Sequence, residues 1–208
     1  MINLFKYLFF IFLMIFFTSC KTSDEEPIQQ KRNFEHFDET NFKEFSIESR
    51  NAQYLNYFML PDCFEEDYWS SMNFFGNQAY YCQDLNLYFS IDFFYFSDIE
   101  YYESYLEFPS SENKPTPEII LNYLMELRLI GLQDAKGSVI VMDKTNSGDT
   151  LYLSSIYGKV QDYNQENNFY QFGYVPASNG FFLMQAMGRM TDIRYLYDDI
   201  VALFKTFV

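Results

Sequence analysis

The sequence predicts an α+β domain, in which an antiparallel sheet of about six strands carries helices packed on it. Three observations lead to this class. Residues 85–97 alternate apolar and mixed positions with a period of two, and residues 137–190 contain four apolar runs separated by turn residues. Two further segments, 117–131 and the chain from Asp192 onward, place apolar residues at helical spacing. Consecutive hairpins favour antiparallel pairing, and each amphipathic helix must bury one face.

The first twenty residues form an apolar segment. After Lys6 no charged residue occurs before Lys21, and this run is too short for a transmembrane helix of about 20 apolar residues. It is typical of a secretory signal peptide, and it ends in Phe17-Thr18-Ser19-Cys20. Two small residues before a cysteine resemble the lipobox of bacterial lipoproteins of the Bacteroidota type, although Phe17 replaces the usual leucine. The alternative is an uncleaved N-terminal anchor.

The resemblance implies cleavage after residue 19 and acylation of Cys20, which attaches the chain to the lipid bilayer. Two or more acyl chains give stable membrane association. Residues 21–26, KTSDEE, are similar to a short acidic surface-export signal, so we expect an outer membrane lipoprotein that is either exposed at the cell surface or faces the periplasm. Residues 20–44 are polar and acidic, and they predict a tether in which His36 is solvated.

Residues 45–208 are predicted to form a single α+β domain. The first strand candidates are 46–49, 54–60 and 85–97, and Pro61 ends the second of them. In the third, one face is wholly apolar, and its residues are Leu85, Leu87, Phe89, Ile91, Phe93 and Tyr95. Phe94 and Phe96 on the other face indicate that this face is also covered at one end.

Helix and turn signals divide the rest of the domain. Thr116 can cap a helix that begins at Pro117 and stops near Gly131. Four strand candidates follow, at 137–143, 150–160, 168–175 and 180–190. Asn179-Gly180 between the last two predicts a hairpin, and the final helix carries an apolar stripe from about Asp192.

The element order, together with FGYVPASNGFFLMQAMGRM and the closing DIVALFKTF, resembles the PsbP-like α/β/α sandwich superfamily over residues 45–208. This resemblance implies a fold whose last helix closes on the sheet. Photosynthetic members assist a manganese cluster and others bind proteins, but no site motif is matched, so the resemblance assigns no functional residue here.

The cysteines leave two alternatives once Cys20 is acylated. Cys63 and Cys82 either form a disulfide, as an exported domain permits, or are both buried as small apolar residues. No histidine lies near them, so we predict no metal site.

Acidic residues are concentrated in residues 45–108, which carry eleven acids and one base. The acids expected to cluster as an interaction patch lie in two loops, and they are Glu65, Glu66, Asp67, Glu100, Glu103 and Glu107. Such a patch would attract a basic protein or a divalent cation; the alternative is a face that only confers solubility. A net charge of -15 argues against nucleic acid as a partner.

Catalytic signatures are absent from the sequence. There is one histidine, and no nucleophile elbow, phosphate-binding loop or dinucleotide fingerprint. We therefore predict no catalytic residue and no cofactor, and a membrane-anchored lipoprotein with an accessory or protein-binding role. Two alternatives remain, a glycan hydrolase with two carboxylates and an immunity protein against a basic toxin.

Overall fold

A computed structural model describes residues 37, 41–47, 57–67, 78–98, 115–160, 167–193 and 195–207. All of them belong to the compact unit Arg32–Val208. Cys20, the predicted signal peptide and three acids of the predicted patch (Glu100, Glu103 and Glu107) lie outside these residues. Within the described residues, no helix is both long enough and apolar enough to span a membrane.

Ten strands and three helices make up the described part of the domain. The strands are β1 (Phe42–Ser46), β2 (Tyr57–Pro61), β3 (Phe64–Glu66), β4 (Gln78–Cys82), β5 (Leu87–Tyr95), β6 (Leu132–Gly137), β7 (Val141–Lys144), β8 (Thr150–Val160), β9 (Asn167–Pro176) and β10 (Gly180–Arg189). The helices are α1 (Pro117–Leu129), α2 (Met190–Ile193) and α3 (Tyr197–Lys205), and a 3-10 turn spans Phe96–Asp98.

The strands form two antiparallel sheets. β1 pairs with β2, and an eight-stranded sheet has the order β3-β4-β5-β10-β9-β8-β6, with β7 also paired to β8. The chain leaves β5, forms α1, enters the sheet again at its far edge in β6 and returns by hairpins until β10 lies beside β5.

The prediction of about six strands is therefore too low. β3 and β4 are too short, at three and five residues, to show a clear alternation of apolar residues. The predicted strand 137–143 is instead two strands, β6 and β7, because the edge is irregular: the register of β6 against β8 shifts between Gln133 and Lys136.

Helix α1 covers one face of the large sheet and begins as predicted. The Thr116 hydroxyl oxygen accepts a hydrogen bond from the Ile119 N–H at 3.4 Å, and Pro117 is the first helical residue. The helix contacts β6, β8 and β9. Its buried side chains are Ile120, Leu121 and Leu124, which join a cluster of aromatic and aliphatic residues from the sheet.

Helix α3 and the two-stranded sheet cover the other face. The Phe204 ring meets Phe89 of β5 edge to face, with 5.5 Å between ring centroids. The Thr206 hydroxyl, just after the helix, bonds the backbone N–H and C=O of Met59 in β2 at 3.1 and 3.0 Å. The large sheet thus has helices on both faces, as the α+β prediction required.

Strand β5 confirms the predicted alternation. Leu87, Phe89 and Ile91 belong to the cluster beneath α3, whereas Phe94 belongs to the cluster beneath α1. The two faces of one strand therefore serve two different core layers.

The predicted hairpin before β10 is present, but for a different reason than the Asn-Gly signal suggests. The Ala177 N–H donates to the Gly180 carbonyl at 2.9 Å, and neither Asn179 nor Gly180 has a positive φ. Glycine is required at 180 because a Cβ there would overlap the backbone oxygen of Phe94.

The folded part begins before residue 45. β1 starts at Phe42, inside the segment assigned to the tether, and Phe37 packs edge to face on Phe42 at 6.4 Å. Both rings lie against the core cluster beneath α3. The exposed Lys43 and Glu44 between apolar positions made this short strand resemble a polar linker.

Candidate functional site

An open cavity of about 370 Å³ lies at the β3 edge of the large sheet. We call it the acidic groove, and the described residues that line it are Cys63, Glu65, Glu66, Asp67, Tyr81, Gln83 and Asp84. Four of these seven side chains are carboxylic acids, and none of the seven is basic. The groove is therefore the candidate site that the structure presents for a cationic ligand.

The pairing of β3 with β4 positions the acids. Glu65 lies opposite Tyr81, and beyond the strand the Asp67 N–H donates to the Ala79 carbonyl at 2.8 Å. Phe64, buried in the core, holds the strand from its other face. Because side chains alternate along a strand, burial of Phe64 directs Glu65 away from the core.

A disulfide joins the two strands of this edge at one end. Cys63, just before β3, is bonded to Cys82 at the end of β4, with 5.1 Å between their Cα atoms. Cys82 is completely buried, whereas Cys63 is half-buried and lines the groove. A strand of only three residues is thereby held by a covalent link as well as by its hydrogen bonds.

Tyr81 provides one rigid aromatic wall. Its ring stacks on Tyr88 of β5, with 4.3 Å between centroids, and its hydroxyl donates to the Asn86 side-chain oxygen at 3.1 Å. Asn86 turns the chain between β4 and β5 with a φ of 48°, a conformation that asparagine tolerates better than most residues. The ring is therefore fixed from two sides.

The groove carries like charges close to solvent, which creates a negative potential that attracts cations. Among the described residues, no three metal-binding side chains form a group that could hold a metal ion. Lys43 is close by, since its ammonium donates to the Asp62 carbonyl at 2.9 Å, but it does not line the cavity.

The structure brings together one half of the predicted patch. Glu65, Glu66 and Asp67 share the groove, and Asp84 joins them. Sequence reasoning missed Asp84, although a disulfide between Cys63 and Cys82 would have brought it near Glu65. Asp92, another acid of the segment 45–108 that was not part of the predicted patch, is buried, and its carboxylate accepts a hydrogen bond from the Phe93 N–H at 2.8 Å.

Three ionisable groups with shifted pKa values lie away from the groove. Burial lowers the pKa of Arg128, whose guanidinium packs over the Tyr170 ring at 5.0 Å, and burial raises the pKa of Tyr174. Desolvation acts to raise the pKa of Asp143, but hydrogen bonds from the Lys205 ammonium and the next backbone N–H outweigh it and lower the pKa. These shifts belong to packing around the helices.

No protein-family model and no curated protein matches the chain. Sixteen solved chains are similar to it, and they include the following two. The solution structure of cyanobacterial PsbP (CyanoP) from Synechocystis sp. PCC 6803 has a TM-score of 0.54 at 8% identity, covering 81% of this chain and 92% of that one. A Pseudomonas aeruginosa protein of unknown function, PA94, a putative regulator by its description, has a TM-score of 0.38 at 9% identity, covering 84% of this chain and 86% of that one. The likeness to CyanoP shows that the chain has a PsbP-like fold.

Proposed function

We propose that this chain is a lipid-anchored accessory protein that binds a basic protein partner through the acidic groove. The observation that carries the proposal is the groove itself, lined by four carboxylic acids and by no base among the described residues. Lysine and arginine side chains of a partner would enter this field, and the face of Tyr81 offers an additional cation–π contact. A basic toxin would be one such partner, so an immunity protein is a special case of the proposal.

The first experiment separates the groove from the net charge of the protein. The probe is a peptide in which lysine and arginine alternate with glycine. The groove variant is Glu65→Gln/Asp84→Asn. The control variant is Glu126→Gln/Asp198→Asn, which also removes two negative charges, but from exposed positions on α1 and α3. Association rates are measured from low to physiological salt, where the Debye length is about 8 Å.

We expect the groove variant to slow association and to flatten its salt dependence, while the control stays close to the wild type. Steering by the groove should act on the on-rate more than on the off-rate. Equal slowing by the two variants would mean that the net charge of the protein, and not the groove, attracts the peptide. No change in either variant would mean that the charge only confers solubility.

The glycan hydrolase alternative has a different readout. It requires two carboxylates that face each other across a glycosidic bond, and it predicts new reducing ends when the chain is incubated with envelope glycans. Release of reducing ends by the wild type that Glu65→Gln abolishes would favour this alternative over binding.

Membrane attachment is tested separately at Cys20. We infer that residues 1–19 are removed and that the acylated Cys20 holds the domain at the outer membrane, because the apolar segment ends in Thr-Ser-Cys. Cys20→Ala should release the domain from membranes or leave an unprocessed precursor. Normal processing and unchanged fractionation of this variant would refute the lipid anchor.

A further inference from the structure

The edge of the large sheet that lies farthest from β3 exposes apolar residues. Here β6 and β7 lie against β8, and among the described strands neither of them pairs with a strand on its outer side. Val139, Val141 and Met142 have relative exposures of 79%, 52% and 68%. We call residues 136–143, KGSVIVMD, the outer edge segment. An exposed apolar edge of this kind presents backbone groups with which a further strand can pair.

The charge of this region allows a second copy of the same acidic chain to approach. Residues 128–160 contain four basic and three acidic side chains, whereas the whole chain has a net charge of -15. Two copies therefore repel each other least when these regions face each other. The outer edge segment itself has Lys136 at one end, Asp143 at the other and no charged residue between them.

We propose that two copies of the chain pair through their outer edge segments, so that the two large sheets join edge to edge. The segments run antiparallel and are related by a twofold axis between Val139 and Ile140. In this register Lys136 of each copy lies opposite Asp143 of the other, and the symmetry makes the contact occur twice. The inference does not depend on the proposed function.

An irregularity of the edge makes this register possible. In a regular strand, two residues separated by an odd number of positions lie on opposite faces of the sheet. Between Gly137 and Val141 the edge advances four residues while β8 advances three, so the edge holds one extra residue. Lys136 and Asp143 consequently share the face on which α3 packs, where Asp143 forms its ion pair with Lys205. Opposite charges of two paired copies would thus lie on the same face of the joined sheet.

Asp143 can accept a contact from a second copy in addition to those it already makes. Its carboxylate binds the Lys205 ammonium and the Lys144 N–H, yet the side chain is 40% exposed. A carboxylate offers about four acceptor sites, so room remains for another ammonium group. Exposed ion pairs contribute little each, and one pair of strands is a small interface. We therefore expect a transient dimer that forms at high protein concentration.

Charge reversal tests both the dimer and its register. The full chain in detergent is followed by sedimentation velocity over a wide range of concentrations. Lys136→Glu brings like negative charges together at both contacts. Asp143→Lys/Lys205→Glu brings like positive charges together there, and it keeps opposite charges at positions 143 and 205. The control is Lys43→Glu, which changes the net charge as Lys136→Glu does, but at an exposed position on β1.

Each reversed variant alone should dimerise about tenfold or more weakly than the wild type, while the control stays close to it. An equimolar mixture of the two reversed variants should recover the affinity of the wild type, because both contacts then join opposite charges. This recovery would also show that both variants are folded. A wild type that stays monomeric at every concentration, or a mixture that associates no better than its components, would overturn the proposal. Association of both variants equal to that of the wild type would also overturn it, because the apolar edge would then contact detergent or another surface.

Discussion

Gly173 of β9 lies beneath the ring of Phe204, and replacing it by alanine tests whether α3 closes on the sheet as described. A Cβ built at 173 would lie 2.7 Å from the Phe204 Cδ2 atom, where 3.4 Å or more is ordinary, so the ring would have to move by about 0.7 Å. Phe204 is completely buried and its ring already packs against Phe89. Overpacking of this kind costs about 1–3 kcal/mol.

Denaturant unfolding measures this cost. We expect Gly173→Ala to lower the free energy of unfolding by about 2 kcal/mol, which corresponds to about 4–8 °C in Tm for a domain of this size. Gly137→Ala is the matched control, since its Cβ would meet nothing closer than the Met125 sulfur at 3.7 Å. That change should be neutral or stabilise by up to about 1 kcal/mol, because alanine restricts the unfolded chain.

A double-variant cycle identifies the cause. Leucine at 204 is shorter than phenylalanine, so the cost of Gly173→Ala/Phe204→Leu should fall below the sum of the single costs by about 0.5 kcal/mol or more. If the costs of the two single variants simply add, Phe204 does not lie over residue 173. The same conclusion would follow if the Gly173→Ala protein were as stable as the wild type.

Three further predictions concern stability. Replacing Cys63 by serine and Cys82 by alanine should lower the free energy of unfolding by about 3 kcal/mol, which is the loop-entropy value for two cysteines 19 residues apart. Denaturant unfolding curves of the variant and the wild type that coincide would contradict this. Thr116→Ala should cost about 1 kcal/mol through loss of the α1 cap, whereas Thr116→Ser should cost much less. Lys205→Met should cost up to about 1 kcal/mol at pH 7, since the pair with Asp143 is solvent-screened. The pKa of Asp143 is lower in the folded than in the unfolded chain, so the difference in unfolding free energy between the wild type and Lys205→Met should be complete above the unfolded pKa near 3.9. It should disappear as the pH falls through the pKa of Asp143 in the folded protein. A difference that does not depend on pH would refute the ion pair.

Part of the acidic groove could be predicted and part could not. Glu65, Glu66 and Asp67 are adjacent in the chain, so their proximity is local. Asp84 reaches the groove only because β3 pairs with β4 and the disulfide joins their ends. The sequence allowed a disulfide between the two cysteines but did not require it, because both could equally have been buried as free thiols.

The sequence by itself determined the elements whose signals are local and long. The alternation in β5, the cap and first proline of α1, and the apolar runs of β8, β9 and β10 each arise from neighbouring residues, and all are present. Tertiary structure decided the rest. β3 and β4 carry too few residues for a periodic pattern, and they are strands because a neighbouring strand satisfies their backbone hydrogen bonds. For the same reason the site depends on tertiary pairing: carboxylates distant in the chain share one groove only after the edge of the sheet has formed.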